Sequence, residues 1–232
     1  MKIAGSTALV TGANRGLGRQ FAAELVARGA TVYAGARNPD SVDLPGVKPV
    51  RLDITDPASV AAAAELAHDV NLLINNAGSA VGGDLLTGEL DLIRQDMETH
   101  YFGTLSMIRA FTPIIAGNGG GGILNVLSVV SWVTLQELPA YSAAKSAQWG
   151  LSNALRGPLA EHDIRLSSLH VGFMETEMAE QFDAPKADPA DIARIAVDGI
   201  EAGSYEILAD DISRHVQAGL AGGVAALYPN LP

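Results

Sequence analysis

Residues 7–18 read TALVTGANRGLG: a short apolar run, Thr7 to Thr11, then glycines at 12, 16 and 18. Beyond them an amphipathic helical pattern runs from about Gly16 to Arg28 and is closed by Gly29. Glycine at a strand–helix junction lets the backbone turn tightly, approach a pyrophosphate and pack on the sheet, while the helix N-terminus faces the anion. The spacing is G-x-x-x-G-x-G, one residue longer than the G-x-G-x-x-G of long-chain dehydrogenases. Its place between a strand and a helix separates it from an ordinary glycine-rich turn. Gly12, Asn14, Arg15, Gly16, Leu17 and Gly18 are therefore candidate nucleotide contacts.

The same alternation continues along the chain. Apolar runs at 31–36, 47–54, 70–75, 122–128, 164–171 and 205–210 are separated by helical patterns near 57–67, 91–115, 139–160 and 189–202, with a last helix from Ile212. These runs are continuous rather than alternating, which suits parallel strands buried on both faces. The reading is an α/β fold with a doubly wound, Rossmann-type parallel sheet, in one domain over residues 1–232, with ligands at the carboxyl ends of the strands. The second run ends Ala34-Gly35-Ala36-Arg37, with no acid to bond a ribose and reject a 2′-phosphate. Arg37 and Arg15 would converge on that phosphate, so NADP(H) is preferred over NAD(H).

Composition removes several classes. The 15 basic and 26 acidic residues leave a net charge of −11 with no basic tract, which disfavours nucleic acid and anionic lipid as partners. There is no cysteine, and the five histidines lack metal-ligand spacing, so no metal site is expected. No apolar run is long enough for a signal peptide or membrane span, so a soluble cytoplasmic protein is expected.

The run YSAAK places Tyr141 and Lys145 one helical turn apart, and Ser128 precedes Tyr141 at the end of the fifth apolar run. Together with the glycine turn and Asn75-Asn76-Ala77-Gly78, these residues resemble the short-chain dehydrogenase/reductase family from residue 6 to about 212. The resemblance implies a seven-stranded sheet and hydride transfer between a nicotinamide and a carbonyl or alcohol. It assigns Ser128 to the substrate oxygen, Tyr141 to general acid–base work, and Lys145 to the nicotinamide ribose and to lowering the tyrosine pKa. A free phenol near pKa ~10 is a poor base, and a cation about 4 Å away at an effective dielectric near 20 is worth roughly 4 kcal/mol, about three pKa units. The resemblance also places Asp53 and Ile54 at adenine, Asn75, Ala77 and Gly78 beside the cofactor and central sheet, and Gly172, Met174 and Thr176 at the carboxamide.

Two positions depart from the family pattern. His100 stands where an asparagine usually serves as fourth catalytic member, its backbone carbonyl holding a proton-relay water; a histidine would keep that carbonyl and offer an imidazole. Val171 replaces a proline before Gly172, from which a more mobile segment is expected. Loops after strands four to six offer Val129, Val130, Trp132, Leu135, Leu138, Phe173 and Met178, an apolar wall suited to a neutral ketone, aldehyde or alcohol. The 139–160 helix is rich in small residues (Ala143, Ala144, Ala147, Gly150, Ala154), and similar proteins form homodimers or homotetramers through this helix and its predecessor. The rival reading is a non-enzymatic NADP(H) sensor, favoured by His100 but not by keeping Ser128, Tyr141 and Lys145 together. A dehydratase or epimerase on this scaffold would need a larger C-terminal substrate domain.

Overall fold

Leu9 and Val10 lie on opposite faces of strand β1 (Thr7–Thr11), yet both are fully buried. Leu73 and Ile74 repeat this in β4 (Leu72–Asn75), as do Ile123 and Leu124 in β5 (Gly121–Val126). Helices must therefore cover both faces. In the computed structural model, which describes residues 1–228, they do. Strands β2 (Thr31–Ala36), β3 (Val47–Arg51), β6 (Ile164–His170) and β7 (Glu206–Leu208) complete a seven-stranded sheet, all parallel, in the order β3-β2-β1-β4-β5-β6-β7. The chain turns back between β3 and β4, leaving a crevice at the carboxyl ends of β1 and β4.

Helices α1 (Gly16–Ala27) and α6 (Pro189–Ala202) set Phe21, Leu25, Ile192 and Val197 against Val10, Ile74 and Leu124. Helices α2 (Pro57–Leu66) and α4 (Thr104–Gly117) set Val60, Met107, Phe111 and Ile115 against Leu9, Leu73 and Ile123, and α5 (Pro139–Ala160) adds Leu159 on the same side. Most starts follow local chemistry. Asp56 caps α2 through Ala58 N at 3.0 Å, Asp188 caps α6 through Ala190 N at 2.8 Å, and each is followed by proline at the first position. Gly203, at φ 73°, ends α6 in the left-handed conformation.

The sequence pattern misses one feature here. The helix expected over 91–115 is α3 (Leu90–Met97), a π-helical turn at Glu98–Gly103, and then α4. A π turn inserts one extra residue, and His100 within it has its ring buried against Gly78, Ser79 and Tyr141. Strand β3 also ends at Arg51, three residues before the apolar run does, releasing Leu52–Ile54 to the rim of the crevice. Past β7 come α7 (Asp211–Gly219), begun by Asp210, and a short α8 (Gly223–Leu227). Among the described residues no helix is long and apolar enough to cross a membrane.

Candidate active site

The carboxyl ends of the strands open into one cavity of about 1890 Å³. At its β1 end the turn is built as the glycines suggest: Gly12 and Gly16 have φ of 66° and 52°. A methyl group on Gly18 would collide with the Gly12 carbonyl, so Gly18 packs helix α1 on the turn and does not line the cavity. Arg15 begins α1 without a side-chain cap, unlike the aspartates of α2, α6 and α7, and no acid occupies the first turn. The first N–H groups of α1 thus face the cavity with the helix dipole behind them, a site suited to a phosphate anion. Asn14, Arg15, Leu17, Arg37, Asp53 and Ile54 line the same end.

Two assignments change here. Arg15 does not converge with Arg37; its guanidinium reaches across the mouth to Glu177, on the loop after β6. Arg37 is exposed on the rim of the cavity and makes no ion pair among the described residues, though the Thr55 hydrogen bonds and then its charge lower the nearby Asp53 carboxyl. Asn75 does not reach the cavity, because its amide donates to Asn125 Oδ1 at 2.9 Å inside the sheet. Its neighbour Asn76, which spacing alone did not single out, lines the cavity and donates to Thr11 O at 3.0 Å. Thr11 Oγ1 in turn accepts the Asn76 and Ala77 N–H groups, each at 2.9 Å. This clasp joins the two turns and sets Ala77 and Gly78 beside the glycine loop.

Ser128, Tyr141, Lys145 and His100 come together in the middle of the cavity. Ser128 lies two residues past β5 and caps the turn Val129–Ser131; its Oγ donates to Val171 O at 3.2 Å and accepts from Val130 N at 3.3 Å. Lys145 is buried, and its ammonium donates to Val126 O at 2.8 Å and Gln148 Oε1 at 3.0 Å, lying 5.6 Å from the Tyr141 ring centre. The His100 ring meets Tyr141 edge-on at 5.1 Å. Its Nε2 lies 2.7 Å from the Ser79 carbonyl, which can only accept, so Nε2 carries the proton. Nδ1 is buried without a partner among the described residues.

The electrostatics differ from the simple ion-pair argument. Burial, assisted by the negative charge of Asp96, pushes the Tyr141 phenol above its ordinary value, while the facing Ser128 works in the opposite sense. Burial also lowers Lys145, to about 7. Counting only attraction between lysine and phenol omits desolvation, which disfavours the charged form of both. Burial holds His100 well below the usual histidine range, and the charge of Lys145 adds to this, so its imidazole is neutral at physiological pH. In the structure it packs on Tyr141 and hydrogen-bonds the Ser79 carbonyl.

Beyond Tyr141 the walls are apolar: Val129, Val130, Leu135, Leu138, Phe173 and Met178 line the cavity. Trp132 does not. It turns away to stack on His170, ring centres 3.7 Å apart. Val133 takes its place, with Phe182, Ile212 and Val216 from distant segments that no local motif marks. Phe182 stacks on Phe173 at 4.9 Å. Gly172, Met174 and Thr176 follow β6 along the wall, where Gly172 N donates to Asp210 Oδ2 at 2.7 Å. Val171, from which a more mobile segment is expected, is itself buried, and its carbonyl accepts from Val129 N at 3.0 Å as well as from Ser128.

The short chain dehydrogenase family model matches residues 6–187. The chain belongs to that family. A short chain dehydrogenase from Burkholderia cenocepacia, solved in complex with NADP, is 38% identical, covers 100% of both chains and superposes with a TM-score of 0.95. The Salmonella typhimurium 3-oxoacyl-(acyl-carrier-protein) reductase FabG is 32% identical over 188 residues, 77% of each chain. Bovine dehydrogenase/reductase SDR family member 7B is 30% identical over 190 residues, and that match spans 74% of this chain but only 58% of the relative. A Burkholderia phymatum structure in complex with NAD has the same fold, with a TM-score of 0.87 at 24% identity. This short-chain dehydrogenase is thus an oxidoreductase scaffold for a nicotinamide cofactor.

Proposed function

We propose that this short-chain dehydrogenase is an NADP(H)-dependent carbonyl reductase or alcohol dehydrogenase acting on neutral, hydrophobic ketones, aldehydes or secondary alcohols. The observation that carries the reading is one cavity with the uncapped glycine turn at one end and Ser128, Tyr141 and Lys145 before an apolar wall at the other. The turn, with Asn14 and Leu17, holds the pyrophosphate; Asp53, Ile54, Ala77 and Gly78 flank the adenosine half; Gly172, Met174 and Thr176 flank the nicotinamide half. Bound there, the nicotinamide supplies or accepts the hydride. Ser128 directs its hydroxyl to the substrate oxygen. Tyr141, held protonated by burial, gives its proton to the developing alkoxide in reduction, and Lys145 presents its remaining N–H to the cofactor side. His100 backs the Tyr141 ring.

The NADP preference draws support from Arg37 at a strand end without an acid, and from the NADP complex of the 38% identical relative. The apolar wall of Val130, Leu135, Leu138 and Phe173, on a lining where Arg15 is paired with Glu177 and Arg94 with Asp91, supports a neutral substrate. A homo-oligomer draws support from the exposed small residues of α5.

The test is loss of NADPH absorbance with purified protein and a panel of apolar ketones, aldehydes and a 3-oxoacyl thioester, with NADH in parallel. Faster turnover with NADPH is expected. Tight NADPH binding without turnover of any carbonyl would overturn the enzyme in favour of a nucleotide sensor.

A further inference from the structure

Among the described residues Gln148 is the one amide side chain placed on the ammonium of Lys145, and neither spacing nor the cavity lining marks it. It is buried, three residues beyond Lys145 on the inner face of α5. Its Oε1 accepts from Lys145 Nζ at 3.0 Å, and its Nε2 donates to Thr104 Oγ1 at 3.0 Å. The orientation of the amide is determined by chemistry, since an ammonium can only donate. Thr104 is the first residue of α4 and directly follows the π turn that carries His100. A hydrogen-bonded chain thus runs from the lysine to the irregular turn, buried along its whole length. An ammonium has three protons; Val126 O and Gln148 take two, and among the described residues the third has no partner and the lysine borders the cavity.

We infer that Gln148 is a positioning residue for Lys145: its carbonyl and that of Val126 aim the remaining N–H into the cavity, and its dipole steadies the ammonium, with Thr104 holding the amide in register. This rests on the reading of Lys145 as a cofactor-facing group. The charged and titratable groups around the ammonium are Tyr141 on its own helix, Asp96 on α3, His100 on the π turn and His170 on β6. Of these only Asp96 favours the charge, and burial opposes it. A neutral acceptor bonded to a charged donor in such a site is worth about one to two pH units in where the lysine titrates.

The experiment compares Gln148→Leu, Gln148→Glu and Thr104→Val with the parent chain by two readouts. The first is thermal unfolding of cofactor-free protein from about pH 4.5 to 10, wide enough to hold the onset in every variant. Lys145 sits at about 7 in the fold against an ordinary 10.5, so between those values the unfolded chain binds the extra proton and stability rises with pH. The rise begins about one to two pH units lower in Gln148→Leu, higher in Gln148→Glu, and slightly lower in Thr104→Val. The second readout, the alkaline limb of NADPH turnover, moves in the same order. Stability profiles that superimpose on the parent, or Leu and Glu variants that move the same way, would overturn the inference. Absence of turnover in the parent would count against the reductase reading alone, because the unfolding profiles decide the role of Gln148 without it.

Discussion

A methyl group on Gly78 would stand 2.8 Å from Cε1 of His100, whose ring is buried and tied by Nε2 to the Ser79 carbonyl. The ring has nowhere to retreat, since Tyr141 lies across its edge. Gly78 has no positive φ, so alanine there meets a steric penalty and no backbone one. Gly78→Ala should therefore cost about 1–3 kcal/mol by overpacking. In a His100→Ala background the same change should be nearly neutral. A double-mutant cycle from chemical denaturation is expected to give a coupling energy above about 1 kcal/mol; additive effects would show that His100 does not press on Gly78. The sequence marked His100 as a departure in register, but not what it does, because its role depends on the π turn and on burial. The same limit applied to Tyr141 and Lys145. Their spacing located them, while the direction of the tyrosine shift depends on desolvation, which a one-dimensional pattern does not carry.

Helix α5 shows what an element can disclose in advance. Its limits, Pro139–Ala160, match the sequence pattern, because proline starts it and a periodic run fills it. The division of its small residues was not legible: Ala144 is buried, whereas Ala143, Gly150 and Ala154 lie exposed on the opposite face. A side chain on Gly150 would meet nothing within 4 Å. Exposed Phe102 and Arg109 lie on the preceding helical segment. A face of alanine and glycine lets another helix approach closely, so a second copy can pack there with two-fold symmetry. Gly150→Arg should then reduce the assembly to a single chain of 24.0 kDa in light scattering, leaving the circular dichroism unchanged. A parent protein that already runs at that mass would refute the interface. At the β6 end the pattern failed differently. The pattern puts Trp132 in the substrate wall, but a residue four positions past Ser128 has no fixed direction until β6 supplies the ring it stacks on.

That stack ties the active-site loops to the stability of the whole molecule. His170 is fully buried at the carboxyl end of β6, with neither ring nitrogen bonded among the described residues. Its backbone carbonyl accepts from Ala209 N at 3.1 Å and Ser213 Oγ at 3.0 Å, so it also anchors the segment that brings Ile212 to the cavity. Burial lowers its pKa from 6.5 to about 4, the positive charges of Arg156 and Lys145 adding to this, while the Ser128 backbone works against it. Glu206, 3.9 Å from Nε2, is too distant for a hydrogen bond. Below pH 6.5 the unfolded chain binds a proton that the folded chain refuses, so stability falls as pH drops towards 4 and this contribution is lost no further beyond it. His100, lowered in the same direction, adds to the slope. At pH 5, above the range where most carboxylates titrate, His170 alone should account for about 2 kcal/mol of lost stability relative to pH 7. His170→Gln keeps a polar side chain but cannot titrate. Urea unfolding at pH 7 and pH 5 should therefore show a smaller difference for the variant than for the parent, whatever the variant does to stability at pH 7. Equal differences would mean that the buried imidazole takes up its proton in the fold as readily as in the open chain, and that the stack on Trp132 does not exclude the charge.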